Sequence, residues 1–170
     1  DDIKQNSVWA ILGSLVIVFF YILLRFQKWQ FSLGAVSAVF HDVLIVLGIF
    51  SLTYKIMPFN MEINQAFIAA LLTVIGYSLN DTVVVFDRIR EFFKIHSSWD
   101  SETTVNTALN STLSRTLNTS LTTLIVLIAI FIFGGESIRG FMFALIIGVM
   151  VGTYSSVFIA TPIMFDSYRN

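Results

Sequence analysis

Five apolar runs divide the chain, separated by short polar breaks. A helix rising about 1.5 Å per residue needs about 20 apolar residues to cross a bilayer. The pattern therefore predicts transmembrane spans over 7–24, 31–56, 61–86, 113–133 and 138–165. Arg25-Phe-Gln-Lys28 separates the first two, Met57-Pro58-Phe59-Asn60 the next two, and Gly134-Gly135-Glu136 closes the fourth. The stretch 87–112 is the one long polar connection. Ser98 and Asp100 are good helix caps, so residues 101–110 are expected to form a short helix that runs into the fourth span. No strand is expected, because an isolated strand leaves its backbone unsatisfied in lipid. The expected fold is all-α, a bundle of five transmembrane helices plus that short helix.

Composition and charge add an orientation. Of 170 residues, 56% are hydrophobic and 12% charged, an apolar excess that no soluble domain of this size could cover. A formal net charge of −1 supplies no basic field, so nucleic acid is not expected as a partner. There is no cysteine, which excludes disulfide frameworks and cysteine-based metal sites. The chain starts at Asp1 with no initiator Met and no basic leader, and is expected to be a piece of something longer. Arg25, Lys28, Arg88, Arg90, Lys94 and Arg169 gather on one side of the predicted spans, against Lys4, Lys55 and Arg139 on the other. The positive-inside rule then places the amino terminus outside, and the carboxyl terminus and the connection 87–112 in the cytoplasm.

Three predicted spans hold groups that are costly in hydrocarbon: His41 and Asp42, Asn80 and Asp81, and Arg115. A charged group at the helix centre costs about 2.5–3.5 kcal/mol on insertion scales, so each must be offset or used. Asp81 lies 19 residues from Glu62 and Arg115 lies 21 from Glu136, which predicts nearly equal depths for the two charges. Around Arg115 runs a hydroxyl-rich face, with Asn110, Ser114, Asn118 and Thr122 stepping by four beside Ser111, Thr119 and Thr123. Such a face is expected to meet a water-filled crevice or a partner's polar face. Asp81 with Arg115 reads either as a titratable site, whose carboxylate responds to movement of the guanidinium, or as a buried ion pair that only docks two helices. His41-Asp42 reads either as proton access or as a satisfied polar contact.

The last span carries Gly140, Ala144, Gly148, Gly152, Ser156 and Ala160, a small residue at every fourth position, which predicts close packing against another helix. His41 and His96 are too far apart in the predicted topology to make a metal site. No glycine-rich phosphate loop follows a strand, so energy is expected from an ion gradient or a partner and no bound cofactor is expected.

The stretches Gly76-Tyr-Ser-Leu-Asn-Asp-Thr-Val-Val-Val-Phe-Asp-Arg-Ile-Arg-Glu91, Leu113-Ser-Arg-Thr-Leu-Asn-Thr-Ser-Leu-Thr-Thr123 and Phe133-Gly-Gly-Glu-Ser-Ile-Arg-Gly-Phe141 resemble the SecF subunit of the bacterial SecDF protein-export complex, and His41-Asp42 fits the same family. The resemblance covers essentially the whole chain. It implies one half of a resistance-nodulation-division-type pseudo-symmetric membrane domain, matching SecF spans two to six without the first span and the periplasmic domain. It further implies no enzyme activity but a bacterial inner-membrane subunit that couples the proton-motive force to late steps of preprotein export. The implied partners are SecD, fused or separate, the SecYEG translocon fed by SecA, and the preprotein, met through the absent periplasmic domain. By position Asp81 matches the proton-carrying aspartate and Arg115 its neighbouring arginine, with Asn80, Asn118 and Thr119 as supporting residues. A membrane scaffold that docks SecD or the translocon by its small-residue stripe, and a small-molecule proton antiporter of the same superfamily, stand as alternatives.

Overall fold

The computed structural model describes residues 2–169. It contains α1 (Asp2–Phe26), α2 (Trp29–Thr53), α3 (Gln65–Ile95), α4 (Ser101–Phe133) and α5 (Glu136–Ser155). A π turn (Ser156–Ala160) joins α5 to α6 (Thr161–Arg169), so the last span is one long interrupted helix. Five helical stretches are long and apolar enough to cross a membrane, and the chain is a multi-pass membrane protein. There is no strand among the described residues.

The ends of these helices follow from local chemistry. Helix α3 begins at Gln65 rather than near 61, because the Asn64 side chain accepts a hydrogen bond from Phe67 N–H at 3.1 Å and caps the first turn. Met61 and Phe59 ahead of it are buried in the bundle without being helical. At the other end α3 runs on to Ile95, and α4 begins at Ser101, capped by the Asp100 carboxylate accepting from Thr103 N–H at 2.9 Å. The long polar connection thus shrinks to residues 96–100, where His96 stacks on Trp99 at 3.8 Å. The expected short helix runs straight into the fourth span as one α4, because nothing in 101–113 breaks the helical ladder.

The π turn has a cause in sequence. Pro162 lacks an N–H, and its ring would crowd the carbonyl four residues earlier, so the preceding turn widens. The Thr161 hydroxyl donates to the Ser156 carbonyl within this turn at 3.0 Å. Gly34 of α2 faces this widened turn, where an added Cβ would collide with the Ala160 carbonyl oxygen.

The small-residue stripe of α5 is consumed inside the bundle. An added Cβ at Gly148 would run into the Val74 side chain, and one at Gly152 would come within 3.1 Å of Ser78 Cβ, both on α3. Gly140 lies against the Asn60 backbone, and Ala144 and Ala160 have no exposed surface. The stripe therefore brings α5 onto α3, and is not available to dock a second subunit. That corrects the scaffold expectation that used Gly148 and Gly152 for docking.

Two apolar cores form along the bundle axis. One gathers Ile22, Phe26, Phe31, Val39, Phe86, Ile89 and Met164, with Phe86 edge-on to Phe26 and Phe31. The other gathers Val46, Phe50, Phe67, Leu71, Val74 and Leu145. Asp42 on α2 lies between Val39 of the first core and Val46 of the second. A polar layer thus sits near mid-helix where the two apolar halves meet.

Candidate functional site

The layer starts with Asp42, which has no solvent exposure. Its Oδ2 accepts from Ser78 Oγ of α3 at 2.5 Å and from Ser155 Oγ of α5 at 2.7 Å. Its Oδ1 lies 3.1 Å from His41 Nδ1. One carboxylate therefore ties three helices together with all its partners in place, and His41, half-exposed, connects the cluster to the surface. Ser155 donates to Asp42 from the residue just before the π turn, so the helix irregularity borders this cluster.

Asp81 is three residues beyond Ser78 on α3, about 4.5 Å farther along the axis. It is 3% exposed, and its Oδ2 is buried with no hydrogen-bond partner. Thr82 Oγ1 and Ser32 Oγ are likewise buried and unpartnered. Beside the Asp81 carboxyl stand the hydroxyls of Ser120 on α4 and Thr153 on α5, which bond each other at 2.5 Å. Tyr77 extends the group, its hydroxyl 3.3 Å from Ser120 Oγ and 3.5 Å from Thr123 Oγ1. A line of hydroxyls thus runs from the α4 face to a carboxyl that has spare accepting capacity. In native structures such an orphaned buried oxygen calls for an explanation.

Arg115 departs from the expected arrangement. No ion pair joins it to Asp81 among the described residues, although its charge is near enough to act on that carboxyl. The α3–α4 register explains this: Tyr77 meets Ser120, and Arg88 Nε donates to Ser111 Oγ at 3.0 Å. That pairing sets Arg115 opposite Val84, about one turn past Asp81, in a cleft of about 370 Å³ also lined by Asp87, Arg88 and Glu91. The counts from Glu62 and Glu136 already set Arg115 two residues deeper than Asp81, and the α3–α4 register widens that to about one turn. Arg115 is exposed, as are Asn80, Asn118, Thr119 and Thr122. Helix α4 buries the neighbouring stripe of Thr112, Thr116 and Ser120 instead.

The structure thus brings Asp42 and His41 into one cluster and places Asp81 one turn away. Asn80, Arg115, Asn118, Thr119 and Thr122 go to an outer face, where they alternate with exposed Leu113, Leu117 and Leu121. Sequence reasoning missed Tyr77, Ser120, Thr153 and Ser155 as partners of the acids. The four-residue step from Thr112 through Thr116 to Ser120 was the available signal, since β-hydroxyl residues repeated at that spacing share one side of a helix. Nothing local marks Thr153 and Ser155.

Comparison with known proteins accounts for this arrangement. The sequence model of the family described as protein export membrane protein SecD/SecF, C-terminal, matches residues 1–170. The chain belongs to this family. It is 57% identical over 166 residues to the protein translocase subunit SecF of Rhodothermus marinus, which covers 98% of this chain and 54% of that protein. Against the subunit of the same name from Haemophilus influenzae it is 43% identical, covering 98% of this chain and 49% of the other. The chain spans about half the length of the curated relatives it matches. Its fold matches a crystal structure of SecDF in a super-membrane-facing form with a TM-score of 0.87 and 40% identity, over 99% of this chain and 22% of that one. A second SecDF structure, from a Thermus species and described as a translocon-associated membrane protein, aligns with a TM-score of 0.86 over 98% of this chain and 22% of that chain. The bundle is thus a SecDF-type membrane domain half, as its motifs implied.

Proposed function

We propose that this chain is the proton-handling membrane part of a bacterial protein-export subunit, with Asp81 as the group that takes up and releases the transported proton. The observation that carries the reading is the Asp81 carboxyl: buried at mid-helix, with one oxygen lacking any donor, beside the Ser120–Thr153 hydroxyl pair. A carboxyl held only to dock helices would be saturated with donors, as Asp42 is. Asp81 instead has a free place for a proton, and hydroxyls that can pass one along. Arg115, unpaired with it and about one turn away, supplies a positive charge whose approach would favour proton release.

In this reading protons reach Asp81 from the His41–Asp42 side and leave along the cleft that Arg115 shares with Asp87 and Glu91. The uptake and release tilt helices and drive a periplasmic domain that belongs to the longer protein. Asn80, Arg115, Asn118, Thr119 and Thr122 form the face against which a SecD-type half packs, because lipid offers such a face no partners. The names of the relatives, protein translocase subunit SecF and SecDF, support an inner-membrane assembly with SecD, the SecYEG translocon and a translocating preprotein. The excess of Lys and Arg on one side of the spans supports an outside amino terminus for this chain, and in this reading a proton gradient is the energy source, without a bound cofactor.

The test uses the full-length subunit assembled with SecD in inverted membrane vesicles. Asp81→Asn keeps the shape of the side chain, and is expected to leave the assembly intact while abolishing the part of preprotein export that responds to the proton-motive force. Unchanged gradient-dependent export in that variant overturns the assignment.

A further inference from the structure

The end of the bundle where α1 passes into α2 carries a second basic cavity, beside the Arg115 cleft. A cavity of about 530 Å³ opens there, lined by Arg25, Lys28, Arg90 and Lys94 together with Phe26, Phe31 and Tyr168. Its cations come from three places in the chain: the last turn of α1, the α1–α2 turn, and the last turns of α3. The turn is tight because Gln27 adopts a left-handed backbone conformation, φ 57°, a strain that a residue with a Cβ accepts only when its surroundings hold it.

The charges here are not balanced by the chain. Among the described residues Asp87 is the one carboxylate in ion-pair contact with these four cations, bridging Arg25 at 3.0 Å and Arg90 at 3.0 Å. Lys28 reaches only the Tyr168 hydroxyl, at 3.1 Å, and lies over its ring. Lys94 has no ion-pair partner among the described residues. The floor is aromatic, with Phe26 and Phe31 stacked at 5.0 Å and Arg90 over the Phe26 ring at 5.1 Å. Like charges gathered over an apolar floor repel one another unless an anion joins them. Beside them in sequence, Leu24 and Trp29 expose 78% and 53% of their surface, an apolar collar at the depth where lipid headgroups lie.

We propose that this cavity binds the phosphate headgroup of an anionic phospholipid, with Lys28 and Lys94 as its main ion partners and Arg25, Arg90 and Tyr168 forming the wall. Basic pockets between transmembrane helices at a membrane surface suit this ligand, whose acyl chains lie along the exposed apolar collar. Arg25 and Arg90 are partly committed to Asp87, which leaves the two lysines as the free ammonium groups.

The test is native mass spectrometry of the full-length subunit in complex with SecD, titrated with dioleoylphosphatidylglycerol, with dioleoylphosphatidylcholine, and with inorganic phosphate as competitor. The phosphatidylglycerol complex is expected to be retained in preference to the phosphatidylcholine complex, and to resist millimolar phosphate. Each lysine near an anionic surface contributes a roughly fivefold gain in binding, so Lys28→Gln with Lys94→Gln is expected to weaken retention about twenty-five-fold. The Lys28→Arg, Lys94→Arg pair keeps the charge and is expected to retain the lipid, and Lys55→Gln, beyond the other end of α2, is expected to change nothing. Equal retention of the two lipids, displacement by inorganic phosphate alone, or unchanged binding in the double Gln variant each overturns the proposal.

Discussion

Asp42 accepts hydrogen bonds from two serines and meets His41 with none of its surface exposed, whereas Asp81, one turn away, has an oxygen that nothing satisfies. These two acids therefore respond differently to substitution. Asp42→Ala strands the Ser78 and Ser155 hydroxyls in an apolar interior, and is expected to lower stability by about 3 kcal/mol, read by thermal denaturation in detergent. Asp81→Asn keeps the side-chain shape and an oxygen that can accept from Ser120 and Thr153, and is expected to leave the melting temperature within a degree or two of the original. A reversal of that order would mean that Asp81 is the structural acid. The identities of both acids were legible in the sequence, because a carboxylate in an apolar run stands out. Their contrast was not, since it depends on Ser155 and Thr153, which lie more than 70 residues away from either acid in the chain and meet them only through the packing of α5 on α2 and α3. Asp100, outside the spans, is simpler: Thr103 N–H holds its carboxyl below the usual carboxylate range. A lowered folded-state value means the cap stabilises α4 above the ordinary carboxylate range and is lost as pH falls through that lowered value. The Thr103 amide is expected to exchange faster in Asp100→Ala at neutral pH, and equal exchange would remove the cap from the account.

Helix packing shows the same division between local and distant causes. The α5 stripe was legible as a close-packing surface from its four-residue step, but its partner was not, because spacing on one helix says nothing about which neighbour it meets. The partner is α3, through Gly148 on Val74 and Gly152 on Ser78. Val74 is β-branched and held at χ1, so it cannot swing aside from an added methyl group. Gly148→Ala is expected to cost about 1–3 kcal/mol by overpacking. Val74→Ala in the same chain should recover much of that loss, because residues in contact couple. Additive losses in the double variant would show that the α3–α5 approach does not depend on this contact. The same interface carries Ser78 toward Asp42 and Thr153 toward Asp81, so the tight packing of α5 also determines which hydroxyls reach the acids. Helix ends were less legible than helices. The expected depth of Arg115 was off by about one turn because the α3–α4 register is set by contacts such as Tyr77 on Ser120 and Arg88 on Ser111, which counting along each helix does not show.

At the scale of the molecule the chain spans about half the length of the curated relatives it matches. Its α4 presents Arg115, Asn118, Thr119 and Thr122 among exposed leucines, and its polar layer lies between two apolar cores close to that face. On the proposed function, a SecD-type half packed there would exclude lipid from Arg115 and set how near the guanidinium comes to Asp81, which would link assembly to proton release. Lys28 and Lys94, at the end of the bundle, lie outside that linkage. The central claim is that Asp81 gains and loses the proton. It is tested most directly by infrared difference spectroscopy of the full-length complex in vesicles, comparing opposite pH gradients in the carboxyl C=O stretching region. A band that appears with one gradient, disappears with the other, and is missing in Asp81→Asn is the predicted result; a band that persists unchanged in that variant would contradict it.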